Sequence, residues 1–342
     1  MTKLALDFSL FGIALFATGC WRRIALSRSL LDVPNSRSSH SQPIPRGGGV
    51  AIVFAFFLGV AYLTAGTEFP RGEAAALFLG GGLVAGIGLV DDFVGASVGV
   101  RLLCHVTASA LAVWLIHGAA PVLAFGRVVD LGKIGDIIAV VYLVGLLNLY
   151  NFMDGIDGIA AAEAVTVCLG AAAILFIQND PTYPPFAPLM LAAASLGFLL
   201  WNFPKSTVFM GDVGSGFLGF AIGVFSLASA HSAPRLLWCW LILLGVFVVD
   251  STLTILRRLI RGERVYEAHR SHAYQHAARR FGSHPPVTWF VIAVNVCWLT
   301  PLAIAVGTEA IEGITGLAIA YAPLVVVALL FDAGSTHDRT SA

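Results

Sequence analysis

Residues 148–160, NLYNFMDGIDGIA, set two asparagines, two aspartates and two glycines behind an apolar run. Asp154 and Asp157 are three apart, so on a helix or a tight helical turn they share one face, and Asn151, three before Asp154, joins it. Gly155 and Gly158 remove side chains where a ligand or another backbone could approach closely. Polar groups of this kind at a membrane boundary suit a cation, a polyphosphate or both. The plain alternative is a hydrated turn between two helices.

Four other stretches carry candidate chemistry. In residues 32–49, DVPNSRSSHSQPIPRGGG, Pro34, Pro43 and Pro45 prevent a continuous helix. Arg37 and Arg46 can grip phosphate with forked donors, and Gly47, Gly48 and Gly49 would let backbone N–H groups face an anion. A positive-inside loop with a turn explains these arginines well but the glycine run poorly. Asp91 and Asp92 end the run GLVDD, where paired acids are unfavourable unless they bind something, and Arg101 follows. Adjacent acids point in different directions on a helix, so one could hold a metal and the other a proton or cation; a polar cap is the simpler reading. In residues 201–216, WNFPKSTVFMGDVGSG, Asp212 is a hard oxygen ligand suited to Mg2+. Gly214 and Gly216 around Ser215 read as a flexible, N–H-rich turn, and Phe209 could stack on a base or simply pack.

The fourth stretch is a basic loop with Arg257, Arg258, Arg261, Arg264, His269, Arg270, His272, Arg279 and Arg280. His269 and His272 are spaced i, i+3, but neutral imidazoles are not preferred ligands of Mg2+, so phosphate or sugar contact is expected of them. Several of the arginines suit attraction to anionic lipid. Asp250 and Glu163, within or at the edges of apolar runs, read as structural partners for arginines.

The elements that must position these residues are membrane helices. The 342 residues are 58% hydrophobic and only 12% charged, with a mean hydropathy of +0.85, where a soluble domain carries roughly 25% charged residues. A zero formal net charge implies no general attraction to nucleic acid. The five cysteines have neither metal-site nor disulfide spacing and read as small buried hydrophobes. Residues 17–20, ATGC, faintly resemble a lipoprotein cleavage site, but Arg22 and Arg23 follow at once, so an uncleaved first span is expected. A span needs about 20 mainly apolar residues. Eleven segments meet or approach this, at 4–21, 48–66, 73–90, 102–121, 134–150, 158–178, 186–201, 213–231, 235–255, 286–306 and 313–331. With the N-terminus periplasmic and the C-terminus cytoplasmic, fifteen of the 20 Lys and Arg residues fall inside. Every polar cluster falls on that side as well, with 22–47 and 256–285 as the main cytoplasmic loops. The reading is a single all-α membrane domain over residues 1–342, without a clear internal repeat.

Five stretches together, DVPNSRSSHSQPIPRGGG, GLVDDF, NFMDGIDG, WNFPKSTVFMGDVGSG and AHRSHAYQ, run in order from Asp32 to about Arg280. In this the chain resembles the polyprenyl-phosphate N-acetylhexosamine-1-phosphate transferases of glycosyltransferase family 4. These include the enzymes that begin O-antigen and related glycans and the translocase of peptidoglycan synthesis. The resemblance implies a bundle of about ten or eleven spans, a cytoplasmic active cleft, usually a homodimer, and Mg2+ or Mn2+ as cofactor. Carried over, Asp91 and Asp92 match the paired acids at the reaction centre and Asp212 the metal ligand. Asn151, Asp154 and Asp157 match the nucleotide-side groups, Asn202 and Phe209 the residues flanking the uracil pocket, and His269 and His272 the histidine motif that holds the nucleotide-sugar. Arg101, with Arg46 and Arg270, is expected at phosphate. The motif His-Arg-Ser-His, rather than adjacent histidines, resembles the O-antigen-initiating branch in the inner membrane and leaves the UDP-sugar open. The implied reaction passes a sugar 1-phosphate from a UDP-N-acetylhexosamine to undecaprenyl phosphate. A secondary transporter with acidic coupling groups is the competing class, but its acids belong near the bilayer midplane, and these sit at helix ends.

Overall fold

The computed structural model describes residues 3–33, 42–178, 183, 185–263 and 269–335. Pro34, Arg37, His40, Arg264 and Arg339 therefore lie outside the described residues. Helices α1 (Lys3–Ser27), α2 (Val50–Ala65), α3 (Arg71–Val94), α4 (Val98–Leu115), α5 (Gly132–Met153), α6 (Ile159–Gln178), α7 (Phe186–Asn202) and α8 (Asp212–Ala230) make the first part of the bundle. They are followed by α9 (Arg235–Leu243), α10 (Gly245–Ile260), the short α11 (Ala273–Phe281), α12 (Pro285–Gly307) and α13 (Gly313–Leu330). Eight of these are long and apolar enough to cross a membrane, α9 and α10 form a ninth as a bent pair, and α2 and α7 are shorter apolar helices. The protein is an all-α, multi-pass membrane bundle, and each of the eleven apolar segments is accounted for. Two small antiparallel ribbons accompany the helices. One pairs β1 (Leu31–Asp32) with β2 (Ile44–Pro45), and the other pairs β3 (Val122–Ala124) with β4 (Arg127–Val129).

The bundle is organised around α8. Every residue from Val213 to Leu227 is buried, as a helix apolar on all sides requires. It packs on α3 and α5, while α7 packs on α1 and α6. Small residues let these backbones approach closely. A Cβ on Gly88 of α3 would lie 2.6 Å from the Asp212 carbonyl carbon, and one on Gly49 would collide with the backbone of Gly214.

Several expectations change. The segment 235–255 is not one straight helix: α9 and α10 meet at 75°. The break lies at Leu244, and the missing side chain of Gly245 leaves room for Leu299, Tyr321 and Leu324. Both interior acids take partners other than the expected arginines. Glu163 accepts from Asn295 at 2.6 Å, and Asp250 accepts backbone amides of α11. Of the cysteines, only Cys168 and Cys239 are buried; Cys297 is exposed on a bundle face that lipid can cover.

Candidate active site

Asp91 and Asp92 occupy the last turn of α3, and adjacent helical positions point about 100° apart. Asp92 turns inward, where its side chain is fully buried, and accepts the backbone N–H groups of Asp212 at 2.9 Å and Val213 at 3.2 Å. The first N–H groups of a helix have no partner within it, and its N-terminus favours negative charge. Asp92 thus supplies from α3 the cap that α8 lacks. Asp91 turns the other way, accepts the Ala96 N–H at 2.6 Å, and lies 2.6 Å from Arg101 Nη1. The Ala96 bond and the Gly95 turn hold it at the rim of the bundle.

Asp212 is the hub. Its Oδ1 accepts from Arg46 Nη2 at 2.9 Å and its Oδ2 lies 3.5 Å from Arg101 Nη1. The Asp91 carboxyl and the Asn151 side chain are both within hydrogen-bonding reach of it. Arg46 also reaches Asp92 through Nε at 2.7 Å, so one guanidinium bridges two aspartates. Burial alone would lower the Arg46 pKa, but the Asp92, Asp212 and Asp32 carboxylates outweigh that and raise it.

Arg46 is placed by the chain on either side of it. Phe209 N–H donates to Pro45 O at 2.7 Å, Gly48 N–H to Phe209 O and Gly49 N–H to Met210 O, both at 2.9 Å. Trp21 Nε1 donates to Arg46 O at 3.0 Å. This corrects the reading of the glycine run. The Gly48 and Gly49 amides are already bonded to carbonyls and do not face an anion. Their small size is what admits the 209–214 backbone. Gly214 and Gly216 likewise belong to the rigid first turns of α8 rather than to a flexible loop.

Asp154 follows the end of α5, where Asn151 Nδ2 donates to Ser215 Oγ at 3.0 Å. Burial, then the neighbouring charge of Asp212 and Asp92, pushes the Asp154 carboxyl well above the usual range, with Arg46 opposing. Asp157 does not share its face. α5 stops at Met153, and Asp157 turns to His284, whose Nδ1 lies 3.1 Å from its carboxylate. Burial would raise the Asp157 pKa, but hydrogen bonds from His284 and Ser206 lower it overall. The space beside Gly155 is taken by the Tyr274 hydroxyl and that beside Gly158 by the Phe203 ring.

Asn202 is buried and acts through the loop. Its Oδ1 accepts Gly158 N–H at 2.9 Å, and its Nδ2 donates to Ser206 Oγ and Val208 O. With those bonds made, it shapes the Asp157 turn rather than presenting an amide to a base. Phe209 is half-buried and held by its backbone. Arg270 is not beside Arg46 and Arg101. It lines a separate cavity of about 510 Å³ with Asp157, Lys205, Gln275, Arg279 and His284.

The histidine motif is built on Asp250. That carboxylate accepts the Ala273 and Tyr274 amides at 2.9 and 3.0 Å, capping α11 as Asp92 caps α8, and lies 3.3 Å from His272 Nδ1. His269 stacks on His272 at 4.9 Å between ring centroids, and Phe152 lies near both. Burial, then His272 and Arg258, lowers the His269 pKa to about 3, so its ring is neutral.

Residues 74–230 match the profile of Glycosyl transferase family 4. The chain is 30% identical over 276 residues to a probable undecaprenyl-phosphate N-acetylglucosaminyl 1-phosphate transferase of Bacillus subtilis, covering 78% of this chain and 75% of that protein. It is 31% identical over 312 residues to the decaprenyl-phosphate N-acetylglucosaminephosphotransferase of Mycobacterium tuberculosis (strain H37Rv), covering 82% and 76%. The chain belongs to glycosyl transferase family 4. A phospho-N-acetylmuramoyl-pentapeptide-transferase of Gluconobacter oxydans is 30% identical over 297 residues, covering 75% of this chain and 79% of that protein.

In this family 4 member, Arg46, Asp91, Asp92, Arg101, Asn151, Asp154 and Asp212 form one cluster, while Asp157 and Arg270 share the neighbouring cavity. Sequence reasoning missed His284 as the Asp157 partner and Asp250 as the support of the histidine motif. For His284 the only local signal is a histidine before Pro285-Pro286 at a helix start. For Asp250 it is a lone acid in an apolar helix, which needs a polar partner.

Proposed function

We propose that this protein transfers an N-acetylhexosamine 1-phosphate from a UDP-sugar to undecaprenyl phosphate, releasing UMP. The product would be the lipid-linked first sugar of O-antigen or a related surface polysaccharide. The observation that carries the reading is Asp212, set between two guanidinium groups and beside Asp91. This cluster borders a cavity of about 260 Å³ whose wall continues through His105 and Asn148 and the apolar Val98, Leu102, Leu147, Phe152 and Ile255. Phosphate chemistry at one end and lipid chemistry along the wall suit a phosphorylated prenol. The count of basic residues supports a cytoplasmic site in the inner membrane, with the N-terminus outside.

The charge balance supports Mg2+. Among the described residues, Arg46 and Arg101 are the cations close to Asp91, Asp92, Asp154 and Asp212, and after burial it is the charge of Asp212 and Asp92 that raises the Asp154 pKa. Among the described residues no three His, Cys, Asp or Glu side chains form a ready ligand set. Mg2+ commonly takes one or two carboxylates and completes its shell with water and substrate phosphates, so Asp212 and Asp91 fit it, and Mn2+ also accepts oxygen ligands. When bound, the ion would neutralise charge on the diphosphate.

The chain's own groups do the rest. A phosphate monoester has its second pKa near 6, so the acceptor is mostly dianionic at neutral pH and needs no strong base. Arg101 draws the acceptor phosphate toward Asp212, and Arg46 holds the two inner carboxylates in place. Asp91, held by Ala96 N–H and Arg101, orients the acceptor or takes a residual proton. The neutral His269 and the Asp250-braced His272 face the UDP-sugar. Membranes carrying the protein, incubated with undecaprenyl phosphate and a panel of UDP-N-acetylhexosamines, should release UMP with at least one donor, only with acceptor and divalent cation present. Absence of UMP release across the panel would overturn the proposal.

A further inference from the structure

We propose that His105 is a second contact to the phosphate group of the lipid acceptor. This rests on the acceptor being a polyprenyl phosphate. His105 follows Arg101 by four residues on α4, so the two side chains share one face. Their Cα atoms are about 6 Å apart along the axis, a spacing that lets the pair bracket one phosphoryl group. Both line the 260 Å³ cavity, together with Asp212, Asn148 and Asn151.

Two observations separate His105 from a packing residue. First, its Nδ1 atom is buried and makes no hydrogen bond within the protein. His231 and His284 each place a ring nitrogen on a polar partner; His269 and His272 also carry a buried ring nitrogen without one, but neither lines this cavity. A buried ring nitrogen without a partner is unfavourable unless a ligand supplies one. Second, the charged groups nearest it are Arg101 and Asp91, which already pair with each other. The imidazole therefore adds a hydrogen-bonding group one helical turn past Arg101, on a wall that also carries Leu102, Leu147 and Ile255. A free phosphate would use Arg101 and His105 but leave Leu102, Leu147 and Ile255 unmatched. A phosphate carried on a prenyl chain uses both.

The test uses the full chain in lipid nanodiscs and compares His105→Leu with His105→Asn, whose amide falls close to the position of Nδ1. His105→Leu should raise the KM for undecaprenyl phosphate at least tenfold and leave the KM for the UDP-sugar within twofold. His105→Asn should recover most of the loss. Thermal unfolding of the variants checks that they are folded. A second arm measures direct binding of farnesyl phosphate, farnesol and inorganic phosphate. Wild type should prefer farnesyl phosphate, and His105→Leu should weaken it by the same factor as the KM. That arm stands even if no UDP-sugar is turned over, so failure of the transferase reading is distinguishable from failure of this one. Equal farnesyl phosphate binding by wild type and a folded His105→Leu would overturn the inference. So would a rise confined to the UDP-sugar KM, or an Asn variant no better than Leu.

Discussion

Asp92 and Asp212, 120 residues apart, meet through the backbone rather than through their carboxylates. The Asp92 side chain accepts the Asp212 N–H at 2.9 Å, and Arg46 bridges the two side chains from outside. One acid of the Asp91–Asp92 pair therefore caps α8, while the other faces Arg101 and the Ala96 N–H at the rim.

That division gives opposite signatures. Asp92→Ala removes a helix cap, worth about 1–2 kcal/mol, and also strips Arg46 of a partner. It should lower both the unfolding temperature and the turnover. Asp91→Asn keeps an acceptor for Ala96 N–H, so its unfolding temperature should stay near wild type while turnover falls on the order of 100-fold. Thermal unfolding in detergent beside a UMP-release assay reads both. An Asp92 variant with an unchanged unfolding temperature and no activity would place Asp92 on the substrate instead.

Asp212→Ala removes the one carboxylate that both arginines and Asp91 share. Turnover should drop by on the order of 1000-fold or more, with every donor and every added metal. The α8 cap survives because Asp92 bonds to the backbone of residue 212, not to its side chain, so the variant should still fold. Activity retained in purified Asp212→Ala would end its assignment as metal ligand.

What was legible in the sequence is what is local. Hydropathy marks each span, because a membrane helix must be apolar along its own length. The different directions of Asp91 and Asp92 also follow from helix geometry. Which acid turns inward does not, because its partner amides lie at 212 and 213. The anion-facing reading of Gly48 and Gly49 fails for the same reason: their amides bond to the carbonyls of Phe209 and Met210. Asp157 was misplaced because helical spacing was carried past Met153, where α5 stops. The bend at Leu244 depends on helices α12 and α13 filling the space beside Gly245, and no stretch near Leu244 encodes that.

Asn202 tests how a residue can matter to the site without facing the substrate. Its Oδ1 holds the Gly158 N–H, and both atoms are buried. Asn202→Ala leaves that amide unpaired, a loss of about 1–3 kcal/mol, and frees the turn that carries Asp157. Stability should fall, and the UDP-sugar KM should rise more than kcat falls. Asn202→Asp keeps the acceptor for Gly158 but loses the donors to Ser206 and Val208 O, so it should recover only part. If Asn202→Ala were as stable as wild type, the buried hydrogen bonds would not be holding the turn.

The Asp157–His284 pair gives a pH dependence whose sign can be worked out. Burial would raise the Asp157 pKa, but His284 and Ser206 hold it below the ordinary carboxylate value, which is about 3.9 in an unfolded chain. A carboxyl with a depressed folded-state pKa binds fewer protons folded than unfolded across that interval. Its stabilisation is therefore complete above the unfolded value and is lost as pH falls through the folded one. In His284→Leu the burial effect is less opposed, so the carboxyl returns upward. The variant should be less stable than wild type at pH 7, and its acid-induced loss should begin at a higher pH. Unfolding temperature measured from pH 7 to pH 3 for wild type, His284→Leu and Asp157→Asn reads this directly. The Asn variant should lack the step in that acid range, because it has no proton to take up. Superimposable curves for wild type and His284→Leu would show that the imidazole does not hold the Asp157 charge.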